Sequence, residues 1–269
     1  MTAPPPNHPR PPRLTWSRSL PVSHTVDVAV VGGGIAGVCA ACAAAREGAR
    51  VLLIERFGVT GGTATIGGVG NWSGETRGQG AVFDDIVAAQ KKWRSLAPYP
   101  GPARGDRRCN RPFDSEILAV ILQELLLRDG VTLRLHTTLV DVMRNRRTLK
   151  ALILAGVSGP EAVRAALFID ATGSAQVARA AGFHLLKPGP RGILPPSLMF
   201  FVRETNGPVT PQLPKGWFHP IRREADLPMT SIWPNGPGSR ALKVKITGFD
   251  NRSTEGLTAL EIQARRRMW

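Results

Sequence analysis

Cysteine is scarce in this chain. Three residues in 269 are too few to staple a fold, which excludes a disulfide scaffold. Cys39 and Cys42 sit in an Ala-rich stretch where a reducing compartment leaves both as free thiols, so the cytoplasm is the expected location. Long apolar runs are missing as well. The longest, Ile35 to Ala45, falls well short of the roughly 18 residues a membrane helix needs, and no membrane span is expected. The start, Met1 to Pro21, is rich in Pro and Arg and lacks the continuous apolar stretch of a signal peptide; it reads as part of a disordered leader over residues 1–24. His136, His184 and His219 do not share a spacing that would gather a metal, and no metal site is expected.

Acidic residues are few against the basic ones, 20 against 35, which leaves a formal net charge of +15. Of those basic residues 28 are Arg, spread along the whole chain with short clusters at Arg104 to Arg111, Arg144 to Arg147 and Arg265 to Arg267. No RNA-binding aromatic motif, zinc-finger spacing or long basic helix goes with them, so nucleic acid is not the expected partner and the charge reads as a solvated, Arg-biased surface. What the chain does have is a 42% hydrophobic content, enough to offset the entropy of ordering a globular core.

The apolar residues are arranged as an α/β protein. Val26 to Val31 is a short β-rich run, apolar enough to be buried on both faces, as a central parallel strand is. Ile35 to Gly48 has helix composition with Gly48 as its stop, and Val51 to Glu55 is a second buried strand, completing one βαβ unit. Phe57 to Gly80 is glycine-rich and aperiodic, a long loop. Val82, Ile86, Ala89, Trp93 and Leu96 predict a helix that Pro98 ends, and Asp114 caps another built on Ile117, Leu118, Ile121, Leu122 and Leu125. Val131 to Leu135 alternates as a strand; Leu139 to Met143, Leu149 to Ala155 and Val163 to Ile169 follow with short turns, as an antiparallel meander. A short helix runs to Ala181. Beyond Phe183 prolines become frequent, with strands expected at Leu198 to Val202 and Leu242 to Ile246. A last helix is expected with a capping box of Thr258 and Glu261, its face formed by Leu257, Leu260, Ala264 and Met268.

Chemistry enters at Gly32-Gly33-Gly34-Ile35-Ala36-Gly37, a G-x-G-x-x-G turn between the first strand and the first helix. In such a turn the first glycine makes the bend, the second admits a pyrophosphate and the third lets helix and strand approach, while the helix N-terminus faces the phosphates. Glu55, at the end of the next strand, stands where a carboxylate accepts ribose hydroxyls. These features together predict dinucleotide binding.

Three segments resemble the FAD-dependent oxidoreductases of the glutathione-reductase-like superfamily: Asp27 to Arg56, the Gly61-Gly62-Thr63-Ala64-Thr65 segment, and Leu167 to Gly173 with its Ala171-Thr172-Gly173 ending. The resemblance implies a Rossmann-like FAD-binding domain, a parallel sheet plus an antiparallel β-meander, over residues 25–182, followed over 183–269 by the start of an α+β substrate domain. It implies FAD as cofactor and a small-molecule substrate. Gly32, Gly34, Ile35, Ala36 and Gly37 would face the pyrophosphate, Glu55 the adenosine ribose and Arg56 the adenine edge. Gly61, Gly62, Thr63 and Ala64 would lie on the ribityl side, Val140 would meet the adenine through its backbone, and Ala171, Thr172 and Gly173 would pack on the same nucleotide. The family commonly has Asp-Gly-Asp after Ala-Thr-Gly; here stand Ser174, Ala175 and Gln176. Trp72, Glu75 and Arg77 on the glycine-rich loop are the candidates for substrate contact, and no residue presents itself as general acid or base. The implied reaction is hydride transfer from an organic substrate to FAD. Three alternatives stay open: a truncated, non-catalytic remnant, since the chain stops inside a helix, an NAD(P)-binding dehydrogenase, and a non-specific nucleic-acid binder drawn by the +15 charge.

Overall fold

The computed structural model describes residues 14–101, 110–186, 196–208, 230–235, 238–246, 248–249 and 253–268. Residues 1–13 of the expected leader, and His219, lie outside them.

The strand expected at Val26 begins four residues earlier: β1 is Val22–Val31, so residues 22–24 of the expected leader are part of the sheet. It leads through the glycine turn into α1 (Ile35–Arg46), where Gly48 takes a positive φ just past the helix end, and β2 (Val51–Ile54) completes the βαβ unit. The glycine-rich stretch is not all loop. It holds a 3-10 turn at Gly62–Ala64 and a short strand β3 (Asn71–Ser73), which pairs antiparallel with β4 (Asn110–Pro112). α2 (Ala81–Lys92) stops short of Pro98, because Arg94 turns left-handed (φ 54°) and Leu96 leaves the helix to bridge Phe113. α3 (Ser115–Arg128) is capped as its sequence predicts: the Asp114 carboxylate accepts from the N–H groups of Glu116 and Ile117 at 2.9 and 3.1 Å.

β5 (Thr132–Arg134), β6 (Thr138–Asn145), β7 (Thr148–Gly156) and β8 (Gly159–Asp170) complete a six-stranded sheet of order β5-β2-β1-β8-β7-β6. The β5-β2-β1-β8 pairings are parallel and those of the β8-β7-β6 meander antiparallel, the Rossmann-like arrangement expected. α1, α2 and α3 cover one face, burying Val28, Val30 and Leu53 against Val38, Leu118 and Leu122. On the other face the meander folds back, and Leu152, Leu154 and Val163 pack on Ala29, Val31, Leu52 and Ile54. Both faces of β1 and β2 are therefore apolar, which is why their sequences run without alternation.

A bidentate pair ties the two layers. Arg134 donates to the Glu161 carboxylate at 2.8 and 2.9 Å, and Glu161 is buried while Arg134 is about one-third exposed. Burial pushes the Glu161 carboxyl up, but the Arg134 guanidinium outweighs it and the pKa lies below the ordinary 4.5. A lowered folded-state pKa gives a stabilising contribution that is complete above the unfolded-state value and is lost as pH falls through the folded one. In an Arg134→Met protein burial is opposed at Glu161 only by Ser23 and His24. The expected result is a loss of about 1–3 kcal/mol at neutral pH that narrows as pH falls and the Glu161 carboxyl becomes protonated in both proteins, read by denaturant unfolding followed by circular dichroism.

After β8 comes α4 (Gln176–Ala180). A separate three-stranded antiparallel sheet follows, β9 (Ser197–Arg203), β10 (Thr230–Pro234) and β11 (Ser239–Lys245) in the order β10-β11-β9. It packs against α5 (Thr254–Met268) through Val244, Ile246, Leu260 and Ala264. α5 starts before the expected capping box: Ser253 accepts from the Gly256 N–H at 3.1 Å, and the Thr258 hydroxyl instead donates to the Thr254 carbonyl. Among the described residues no helix is long and apolar enough to cross a membrane.

Candidate dinucleotide site

The three sequence segments meet at the C-terminal ends of β1 and β2. Gly32 has φ 101°, and a Cβ there would collide with the Ala171 carbonyl, so the turn after β1 and the Ala-Thr-Gly turn after β8 touch backbone to backbone. Gly37 faces the Gly32 carbonyl so closely that no side chain fits, which sets α1 against the strand. The third segment joins from the other side. Gly61 N–H donates to the Gly33 carbonyl at 2.7 Å, Gly34 and Gly61 form a bridge, and a Cβ at Gly62 would stand 3.1 Å from Gly34 Cα.

Gly34 differs from its neighbours, since a Cβ there meets no atom within 4 Å. Glycine is thus not demanded by the protein at this position. It leaves open a space directly at the N-terminus of α1. That helix start has no side-chain cap and no acidic residue in its first turn, and its first helical bond is Val38 N–H to the Gly34 carbonyl. The N–H groups of Ile35, Ala36 and Gly37 ahead of it have no acceptor within the helix, and the helix dipole adds positive potential there. Such a helix start could hold a pyrophosphate.

Glu55 is buried at 6% exposure and borders the groove. One carboxylate oxygen accepts from Gly33 N–H at 2.7 Å and the other from Phe57 N–H at 2.9 Å. Two backbone donors fix its orientation, and each oxygen keeps a lone pair for a ribose hydroxyl. The groove is lined by Val31, Gly32, Ile54, Glu55, Arg56, Thr137, Thr138, Leu139, Thr172 and Gln176. Arg56 is at its edge, stacked on Phe57 with 4.6 Å from guanidinium carbon to ring centroid.

Val140 is not part of that lining. It lies one residue beyond, at a bulge in β6, and its side chain is exposed; the wall comes from Thr137, Thr138 and Leu139. Thr137 N–H donates to the Glu55 carbonyl, which brings the start of β6 beside the end of β2. The sequence did carry one sign of these residues: a polar Thr-Thr pair just past a parallel strand, where α/β crevices open. Thr63 is exposed and Ala64 buried in the 3-10 turn.

The Ala-Thr-Gly turn is held by Asp170. Its carboxylate accepts from the backbone N–H and the hydroxyl of Thr172 at 3.1 and 2.7 Å, and from Ala178 N–H at 3.0 Å. Gly173 has φ 73°, and Ala175 is left-handed at φ 53°. An L-residue in that conformation costs about 1–2 kcal/mol, part of which glycine returns as chain entropy. Ala175→Gly is expected to stabilise the protein by about 0.5–1 kcal/mol, raising the thermal midpoint by about 1–4 °C in a melting experiment.

The loop candidates do other work. Trp72, in β3, packs on Phe83 and Phe113, and its indole N–H donates to Gln90 Oε1 at 2.9 Å, so it is a packing residue. Glu75 accepts from the Thr76 and Arg77 N–H groups and from the Tyr99 hydroxyl, while Arg77 stacks on the Tyr99 ring at 4.4 Å. Hydrogen bonding to Arg77 holds the Glu75 carboxyl below its usual value. Cys39 and Cys42 are free thiols; burial, aided by Asp129, pushes Cys42 up to about 12, so it is no thiolate nucleophile. Among the described residues no group of His, Cys, Asp and Glu could hold a metal.

Fold and site together define a dinucleotide-binding α/β protein of the Rossmann-like class. The chain belongs to the FAD dependent oxidoreductase family, whose family model matches residues 27–266. FAD is that family's cofactor, and the groove fits it in its open glycine cradle, uncapped helix start and buried carboxylate. Thiamine thiazole synthase of Desulfosudis oleivorans is 33% identical over 158 residues, 56% of this chain and 57% of that protein. Aklavinone 12-hydroxylase DnrF of Streptomyces peucetius is 44% identical over 63 residues, 23% of this chain and 13% of that protein. The chain thus spans little more than half of the first and a small share of the second. A geranylgeranyl bacteriochlorophyll reductase-like protein from Thermoplasma acidophilum shares the fold, with a TM-score of 0.52 at 19% identity over 89% of this chain and 61% of that one.

Proposed function

We propose that the chain binds FAD through the groove residues and serves a flavin-dependent oxidoreductase in which an organic small molecule gives up a hydride. The observation that carries this reading is the convergence of three distant glycine turns, at Gly32–Gly37, Gly61–Gly62 and Ala171–Gly173, on one backbone-lined cradle. An NAD-binding unit needs only the first. When bound, FAD supplies the two-electron acceptor.

The chain's own residues hold and orient. The first-turn amides of α1 take the pyrophosphate, Glu55 the ribose, and Thr137 to Leu139 with Arg56 wall the adenine end. Val140 stays in this reading as a backbone contact at the β6 bulge, while Thr63 and Ala64 border the ribityl side. Residues 25–182 form the FAD-binding part, with β1 reaching back to Val22, and residues 183–269 belong to a substrate-facing part. The separate core of β9–β11 and α5 supports that division. Met199 and Phe201 of β9 lie against Gly68, at 3.0 and 3.4 Å from a Cβ placed there, so this sheet sits over the loop that leads away from the cradle. The free thiols favour a reducing compartment such as the cytoplasm.

Anaerobic mixing of the FAD-loaded protein with a panel of organic donors tests the reaction. Bleaching of the flavin by an organic donor, with none by NADH or NADPH alone, is the expected result. Reduction by a nicotinamide cofactor followed by oxidation by an organic acceptor would reverse the proposed direction.

A further inference from the structure

The dinucleotide groove uses none of the basic residues between β6 and β7. Arg144, Arg146 and Arg147 instead line a second cavity of about 450 Å³, on the other side of α4. Thr172 and Gln176 border the groove, whereas Val177 and Ala178 border the cavity, so α4 and the turn before it form a shared wall. The size lies within the roughly 300–1,000 Å³ of small-molecule sites.

The lining combines two chemistries. Leu149, Phe168 and Phe183 give it an apolar surface, and Phe183 is 68% exposed, an aromatic ring left in contact with water. Arg144 is anchored, donating to the Ala181 carbonyl at 2.7 Å. Arg146 and Arg147 are exposed at the hairpin turn, and no carboxylate of the described residues pairs with either. Asp170 is the acid in the lining, and its oxygens already take the donors of Thr172 and Ala178. A net positive cavity with an aromatic surface suits an anion that brings its own apolar body. A polyanion such as nucleic acid would need an extended basic track, which a compact cavity with a partly apolar lining does not offer.

We propose that this cavity binds a small amphiphilic anion, an aromatic or acyl body bearing a carboxylate, sulfate or phosphate, with the body on Leu149, Phe168 and Phe183 and the acid on Arg146 and Arg147. The site is separate from the dinucleotide groove and does not depend on what that groove binds. Charge-assisted hydrogen bonds to guanidinium give the anion its hold, and the apolar surface selects against inorganic ions.

Calorimetric titration with anilinonaphthalene sulfonate tests it, on the protein as purified and again with excess FAD. One anion per chain is expected in both titrations. Weakening should be at least tenfold in R146E/R147E, clear in Phe183→Ala, and as strong for the neutral anilinonaphthalene on the parent protein. Both variants change exposed side chains, and an unchanged melting temperature verifies their fold. Undiminished binding by R146E/R147E, absence of a saturable site, or displacement by FAD would overturn the proposal. So would binding to phosphatidylglycerol vesicles without binding of the free anion, which would make the patch a membrane contact.

Discussion

Gly34→Ala is expected to fold and melt like the parent protein while losing about 5- to 150-fold in FAD affinity. A Cβ at this position meets no protein atom within 4 Å, and the glycine lies at the helix start with an ordinary negative φ of −64°, so alanine introduces neither clash nor backbone strain. The methyl group would occupy the space proposed for the pyrophosphate, and overpacking of that kind costs about 1–3 kcal/mol, equivalent to roughly 5- to 150-fold in binding. Gly37→Ala gives the opposite pattern. Its Cβ runs into the Gly32 carbonyl, which cannot move without shifting α1 off β1, and the protein loses stability before any ligand is added. Two glycines three residues apart are therefore separable by experiment: thermal melting of the apoprotein responds to Gly37, and flavin titration responds to Gly34. Equal loss of fold in both variants would contradict this division.

Replacing Glu55 by alanine is expected to affect both quantities. The carboxylate is the acceptor for the buried Gly33 N–H and for Phe57 N–H, and its removal strands both donors. The expected cost is about 2–4 kcal/mol, a fall in melting temperature of about 5–15 °C. Glu55→Gln keeps one acceptor oxygen and turns an amide N–H₂ toward the second donor, so about half that loss is expected. FAD affinity should fall by about 10- to 150-fold in both variants, because a charged acceptor for the ribose hydroxyls is gone in each. The two variants thus differ in stability and agree in affinity. A stability loss with unchanged FAD binding would confine Glu55 to bracing the turn.

The parts of this structure legible in the sequence are those fixed by local chemistry. Continuous apolar runs gave β1 and β2 because both faces of these strands are covered, and Asp114 announced α3 because a cap is a short-range device. The meander followed from turn residues between apolar runs. Features made by tertiary contact were not legible. β3 is three residues long and exists through its pairing with β4, almost forty positions away in sequence. α2 ends early because Leu96 finds Phe113. Trp72 looked available for substrate and is instead held by Gln90.

The candidate site shows the same partition. Its glycines and Glu55 stand out because their spacing encodes a turn and a strand end. Thr137 to Leu139 belong to the groove only because β6 begins where β2 stops, a relation set by the Thr137 to Glu55 backbone bond rather than by any local pattern. Asp170, which holds the third turn and borders the second cavity, reads in sequence as the end of a strand.

Isothermal titration of the flavin-free protein with FAD and, separately, with NAD⁺ tests the central claim most directly. One FAD per chain is predicted, with no saturable NAD⁺ binding and no displacement of FAD by NAD⁺. Stoichiometric NAD⁺ binding that FAD does not compete with, or NAD⁺ binding alone, would contradict a cradle built from three glycine turns for a flavin dinucleotide.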